Sequence, residues 1–308
     1  MTMPKTAYDS FKLKVEAVVE EILDGYKPTK IKDNKVIRDS VFGFNIFFPH
    51  EINVLDSPLL QRLRRIHQTS LAYLTYPSAT HTRFEHSLGV TVIADKMIKA
   101  INSRYPTSNL IDGDRRAEVR LACLLHDCGH GPFSHASEVV YGSESYEIPL
   151  LKNEQKSLFG RANPHEILGY CIVTSKKFRE LWDDIKNLYD LKKDKLICNL
   201  DNIDLERIGA MILGMKATDR PLYLSQFVNG PFDADKFDYI IRDGYFSGLV
   251  TSIDIERLFV SLDAAPYKEH QRKEIPEDVP LHRHWRRNSL RTGSIQQDAS
   301  HIVILPPS

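Results

Sequence analysis

Apolar residues recur every three to four positions along most of the chain, and the breaks in that spacing divide it into helices. Phe11, Val15, Val18 and Ile22 lie at helical spacing between Tyr8 and Gly25, with Asp9 or Ser10 as caps and Gly25 as a stop, which predicts an amphipathic packing helix. The period changes between Lys35 and Pro49. There Val36-Ile37, Val41-Phe42 and Ile46-Phe47-Phe48, set around small turn residues, predict a short β-hairpin. Helix resumes at Asp56-Ser57-Pro58, a cap followed by proline in the first turn, and runs through Leu59, Leu63 and Ile66. Tyr73 to Pro77 reads as an extended connector, because proline disfavours helix in the residue before it.

The next helix starts near Thr82 and carries His86, Val90, Ile93 and Met97 on its apolar, inward face. Asp114 caps the one after it, on which Val119, Ala122 and His126 share a face. His126 and Asp127 fall in its last turn, and Gly129 stands where a left-handed terminal residue is wanted. Beyond Gly131-Pro132, Ser134 to Val140 predicts a short helix presenting His135 and Glu138 one turn apart. Residues from about 141 to 161 read as an irregular surface excursion overhanging a pocket. Asn163-Pro164-His165-Glu166 opens another helix, and mixed-charge helices continue to about Lys216. Gly230-Pro231 is a turn, Asp233 a cap, and Phe232 staples onto Phe237 across it. On the helix that follows, Asp235, Tyr239 and Arg242 form a stripe of the kind that is ordinarily a solvated face. Apolar periodicity is lost after about Pro266. The pattern is mainly α.

Composition adds bounds. The 308 residues are 42% hydrophobic, and 41 basic side chains cancel 41 acidic ones, so no global charge marks a nucleic-acid or membrane-surface binder. No apolar run approaches the roughly 20 residues of a membrane helix, and no secretory leader is recognisable, so the expected compartment is the cytoplasm. Four cysteines without a CxxC pair are expected to be reduced core thiols.

The candidate chemistry centres on Leu124-Leu125-His126-Asp127-Cys128-Gly129-His130. Polar groups taken from water without a partner cost roughly 2–7 kcal/mol, so His126-Asp127 behind four apolar residues needs a hydrogen-bond network or a cation. With His86 and Asp235 the pair makes a set of two imidazoles and two carboxylates suited to one divalent ion, Mn, Fe, Co, Ni, Zn or, less well, Mg. Arg83 and Lys236 supply positive charge for a polyphosphate, and His135 with Glu138, or His130, supplies a proton. By spacing alone, hydrogen-bonded core histidines remain an alternative.

At these residues the sequence resembles the HD superfamily of metal-dependent phosphohydrolases and, within it, the deoxynucleoside triphosphate triphosphohydrolases. The likeness rests on Gln61 to Gln68, His81 to Gly89, His126 to His135 and Asp233 to Tyr239, and fades after about Leu262. It implies an HD helical bundle with a short N-terminal hairpin, an N-terminal segment 1–34, a core 35–265 and a disordered or aberrant tail 266–308, truncated relative to the family. It also implies metal ligation by His86, His126, Asp127 and Asp235. Gln68, Arg83, Lys236, Tyr239 and Asp243 would contact substrate, and His130, His135, Glu138 and Glu166 would form the acid-base and supporting group. Lys35, Asp39, Asp56, Gln61 and Arg64 match parts of a regulatory pocket for GTP or a dNTP lying between subunits of a dimer or tetramer. The implied reaction is hydrolysis of a dNTP at its α-phosphorus to deoxynucleoside and inorganic triphosphate. An HD phosphodiesterase or phosphatase on another nucleotide, or a nucleotide-binding sensor with little turnover, are the competing readings.

Overall fold

The computed structural model describes residues 6–106, 110–143, 147–190, 194, 196–214, 222–249, 253–266 and 302–305. In chain order the elements are α1 (Ala7–Leu23), β1 (Lys35–Asp39), β2 (Gly43–Phe47), α2 (Pro49–Leu55), α3 (Pro58–Gln61), α4 (Arg83–Arg104), α5 (Gly113–Leu125), α6 (His135–Tyr141), α7 (Glu147–Glu154), α8 (Lys156–Phe159), α9 (Pro164–Val173), α10 (Lys176–Asn187), α11 (Leu205–Ile212), α12 (Leu222–Ser225), α13 (Ala234–Ser247), α14 (Ile255–Ser261), β3 (Asp263–Pro266) and β4 (Ile302–Leu305). This is a mainly α fold with an N-terminal antiparallel hairpin, Lys35 opposite Phe47 through Asp39 opposite Gly43.

The centre is α4, packed between α5 and α13. Its start is over-determined: the Thr82 hydroxyl accepts from Glu85 N–H while the Glu85 carboxylate accepts from Thr82 N–H, so two orphan donors of the first turn are satisfied. Val90, Ile93 and Met97 then enter the core with no exposure. On α1 the buried face is Phe11, Val15, Val19 and Leu23, a strict four-residue stripe, and Val18 is instead 53% exposed. Thr6, not Asp9 or Ser10, caps it.

Several expectations are corrected. Helix begins at Pro49, before the start expected at Asp56: Pro49 to Leu55 is helix, because Pro49 sits at the first helical position and Glu51 closes a bond back to Phe48 N–H at 2.9 Å. Tyr73 to Pro77 is a turn entered from the 3₁₀ segment Ala72–Leu74, not an extended connector. Asp112 replaces Asp114 as the cap of α5. The excursion after Tyr141 contains α7 and α8, which bury Ile148, Leu151 and Phe159; of it, residues 144–146 lie outside the described residues.

β3 pairs antiparallel with β4, Asp263 opposite Leu305 through Pro266 opposite Ile302. Thus five residues of the expected tail, Pro266 and Ile302–Leu305, are strand, whereas 267–301 and 306–308, with the basic run Arg283 to Arg287, lie outside the described residues. No described helix is long and apolar enough to cross a membrane. All four cysteines are free and buried.

Candidate metal centre and its pocket

Three elements deliver the central side chains. His86 comes from the first turn of α4, His126 and Asp127 from the end of α5, and Asp235 from the first turn of α13. His86 Nε2 lies 3.0 Å from Asp235 Oδ1, 3.3 Å from His126 Nε2 and 3.7 Å from Asp127 Oδ2. His126 Nε2 lies 3.3 Å from Asp127 Oδ1 and 3.8 Å from Asp235 Oδ1. His86, His126 and Asp127 are buried, and the side chain of Asp235 is one-third open to the pocket. The stripe on α13 is therefore not simply a solvated face: Asp235 meets the imidazoles and Arg242 is fully buried.

The outer partners decide which nitrogens face inward. His126 Nδ1–H donates to the Cys123 carbonyl at 2.7 Å, and His86 Nδ1–H donates to Asp238 Oδ2 at 2.6 Å. Both rings therefore turn Nε2 toward the carboxylates, the arrangement in which outer-shell bonds orient metal-ligating histidines. Burial disfavours charge on His86, yet its bonds with Asp235 and Asp238 outweigh that and lift it to about 10. Burial pushes the Asp127 and Asp235 carboxyls up, but Arg83, His126 and His130 hold Asp127, and His126 and His86 hold Asp235, well below the usual carboxylate range. Two ionised carboxylates across two imidazoles call for a cation, proton or metal. The donor set fits a borderline divalent ion.

Next to this set, His130, His135, Glu138 and His165 also bring potential ligand atoms within 4.8 Å of one another. Glu138 Oε1 receives His165 Nδ1 at 2.7 Å and His135 Nδ1 at 3.0 Å. His130 stacks on His165 with ring centroids 4.0 Å apart; its Nε2 lies 3.3 Å from Asp127 Oδ1 and its Nδ1 3.5 Å from Glu138 Oε1, but neither is aligned for a hydrogen bond among the described residues. Burial pushes His130 down to about 3, with Arg83 and His165 adding to the effect against the pull of Asp127.

A pocket of 540 Å³ opens between these groups. Of the residues expected at the site, it is lined by Gln68, Arg83, His126, Asp127, His130, His135, Glu166, Asp235, Lys236, Tyr239 and Asp243. Arg83 Nη1 binds Asp127 Oδ2 at 2.5 Å, Nε donates to the Ser134 hydroxyl at 2.6 Å, and Nη2 has no hydrogen-bond partner among the described residues. Lys236 Nζ is tied to Gly230 O at 2.9 Å and Asp233 Oδ2 at 2.5 Å. Glu166 is occupied structurally: its carboxylate accepts from Asn163 N–H in the cap of α9 and from Asn229 Nδ2 at 2.8 Å. Lys35, Asp56, Gln61 and Arg64 do not line the pocket. Lys35 Nζ is 3.5 Å from Asp56, and Arg64 donates to Gln61 at 2.8 Å and stacks on Phe84.

Asp238, Arg242, His81 and Ser134 were not among the expected site residues. Asp238 was legible in principle, three positions after Asp235 on one helix face. His81, whose Nε2 meets Asp243 Oδ1 at 2.7 Å, and Ser134, held at φ 56°, depend on long-range contacts that no spacing announces. Gly129 is required for a reason other than the one its position suggested. Its φ is not positive, but a Cβ there would collide with the His165 carbonyl, so glycine lets the turn after Asp127 lie against α9.

An HD-domain helical scaffold with a histidine-aspartate centre is what these elements define, and residues 83–214 match the family model described as HD domain. The chain belongs to the HD-domain superfamily and is similar to its deoxynucleoside triphosphate triphosphohydrolases. Over 229 residues it is 33% identical to an uncharacterized protein of Methanocaldococcus jannaschii, covering 74% of this chain and 38% of that one. It is 32% identical over 225 residues to deoxynucleoside triphosphate triphosphohydrolase SAMHD1 of Danio rerio, covering 72% and 35%. A crystal structure of a hypothetical protein from Aquifex aeolicus shares the fold with a TM-score of 0.53 and 30% identity, over 75% of this chain and 52% of that one. The chain thus spans little more than a third of the length of these curated relatives.

Proposed function

We propose that the pocket hydrolyses a deoxynucleoside triphosphate to a deoxynucleoside and inorganic triphosphate, with one divalent ion held by His86, His126, Asp127 and Asp235. The observation that carries the reading is the facing of two oriented Nε2 atoms and two carboxylates, beside Arg83 and Lys236, in a pocket whose 540 Å³ suits a nucleotide. The activity for which the Danio rerio relative is named supports the substrate class. A bound divalent ion supplies Lewis-acid polarisation and water activation there.

The chain's own residues do the rest. Arg83 is aligned by Asp127 and Ser134, which leaves Nη2 for a phosphate oxygen. Lys236 adds a second positive charge, held in place by Asp233. His135, two-thirds exposed, delivers a proton to the leaving oxygen while Glu138 orients its ring. His130 packs against His165 and supports this group as a neutral ring. Glu166 positions α9 and does not handle protons. Gln68, Tyr239 and Asp243 face the nucleoside.

Residues 35–265 form the catalytic core in this reading. Lys35, Asp56, Gln61 and Arg64 contribute half of an effector site for GTP or a dNTP, completed by a second copy in a dimer or tetramer. Product analysis tests the reaction: purified chain with Mn or Mg and each dNTP, with and without GTP, should release triphosphate and deoxynucleoside, and His126→Ala should release neither. Pyrophosphate or monophosphate as product, or no turnover of any dNTP, contradicts it.

A further inference from the structure

A buried line of charge runs from the hairpin to the metal centre. Asp39, the last residue of β1, uses Oδ1 to accept from Val41 N–H and Phe42 N–H, both at 2.7 Å, which locks its carboxylate into the turn. Its Oδ2 meets Arg242 Nη1 at 2.9 Å. Arg242 then forks onto Asp238, Nε to Oδ2 at 2.8 Å and Nη2 to Oδ1 at 2.9 Å. Asp238 Oδ2 takes the Nδ1–H of His86 at 2.6 Å. None of the four residues is more than 7% exposed.

We propose that Arg242 and Asp39 are positioning residues for the metal ligand His86, acting through Asp238, so that the β1–β2 hairpin is part of the metal centre. The proposal rests on the reading of His86 as a ligand. With both carboxylate oxygens bonded by guanidinium N–H groups, Asp238 meets the imidazole only as an acceptor. That places the ring proton on Nδ1 and leaves Nε2 for a cation. Asp39 fills the remaining side of the fork and fixes the direction from which Arg242 approaches.

Stability alone is a poor explanation of this line. Desolvating several charges is commonly less favourable than packing apolar residues of the same volume. A two-stranded hairpin is marginal by itself, and this one leaves Val36, Phe44 and Ile46 more than half exposed, yet it places a buried carboxylate on Arg242. The neighbouring helix makes room for the arrangement: at Gly89 of α4 a Cβ would collide with Asp238 Oδ1 and Arg242 Nη2.

The test is the Mn(II) affinity of the folded chain, read by electron paramagnetic resonance titration. Asp39→Asn keeps an acceptor oxygen for the turn and removes the charge, and Arg242→Lys keeps the charge and removes the fork. Each should weaken Mn(II) binding about 10-fold, the low end of the range for outer-shell partners. Phe44→Ser, on the exposed side of the hairpin, should bind as the parent does. A merely structural role would lower the melting temperature and leave the affinity of the folded chain unchanged, and that result in either variant overturns the proposal. Failure of the underlying reading looks different: the parent chain would bind no Mn(II), or His126→Ala would bind it equally well.

Discussion

At His86 and His126 each Nδ1 has its own outer acceptor, Asp238 or the Cys123 carbonyl, so both Nε2 atoms are aimed before any ligand arrives. Some ångströms away, His135 and His165 share one carboxylate oxygen of Glu138, His130 makes no aligned hydrogen bond among the described residues, and His135 is two-thirds exposed. The same residue types thus serve two physical ends. The first group is fixed in orientation and suits a cation. The second can redistribute hydrogen bonds among its rings and suits proton delivery.

Removing a member of the fixed group should have the largest effect. Asp127→Ala should abolish metal binding and hydrolysis and also destabilise the fold by roughly 3–5 kcal/mol, because Arg83, 2% exposed, is left without its carboxylate. Metal titration and denaturant unfolding check the two parts separately. If His135→Ala instead matched that loss of metal, the distinction between the groups would collapse. It should reduce kcat by about 10²–10⁴, as expected for loss of a general acid, with metal affinity unchanged.

The smallest effect concerns stability against pH. Burial raises the Glu138 carboxyl, but its bonds with His135 and His165 outweigh this and hold it below its ordinary value of 4.5. A depressed carboxyl contributes stability above its unfolded value and loses it as pH falls. Glu138→Gln should therefore melt below the parent at pH 7, and the difference should close as pH drops well under 4.5. A difference independent of pH would mean that packing, not charge, holds Glu138.

Much of the fixed group could be read from the sequence because its determinants are local. His86 follows a capping box and shares the period of Val90, Ile93 and Met97; His126-Asp127 closes an apolar helix; Asp235 sits just inside the cap Asp233. What orients these ligands could not be read in the same way. Arg242 looks like one more charge on a helix face until the hairpin brings Asp39 against it from 203 positions away, and His81 pairs with Asp243 across 162. The α7–α8 segment was not legible because Ile148, Leu151 and Phe159 are too sparse among polar neighbours to mark a period, and packing against α1, α9 and one another gives them an inside.

Anomalous diffraction from crystals soaked with Zn²⁺ would locate the cation in the pocket. One peak per chain is expected at bonding distance, about 2.0–2.2 Å, from His86 Nε2, His126 Nε2 and oxygens of Asp127 and Asp235. A peak found only among His130, His135, Glu138 and His165, or none between the two imidazoles of the fixed group, would contradict it.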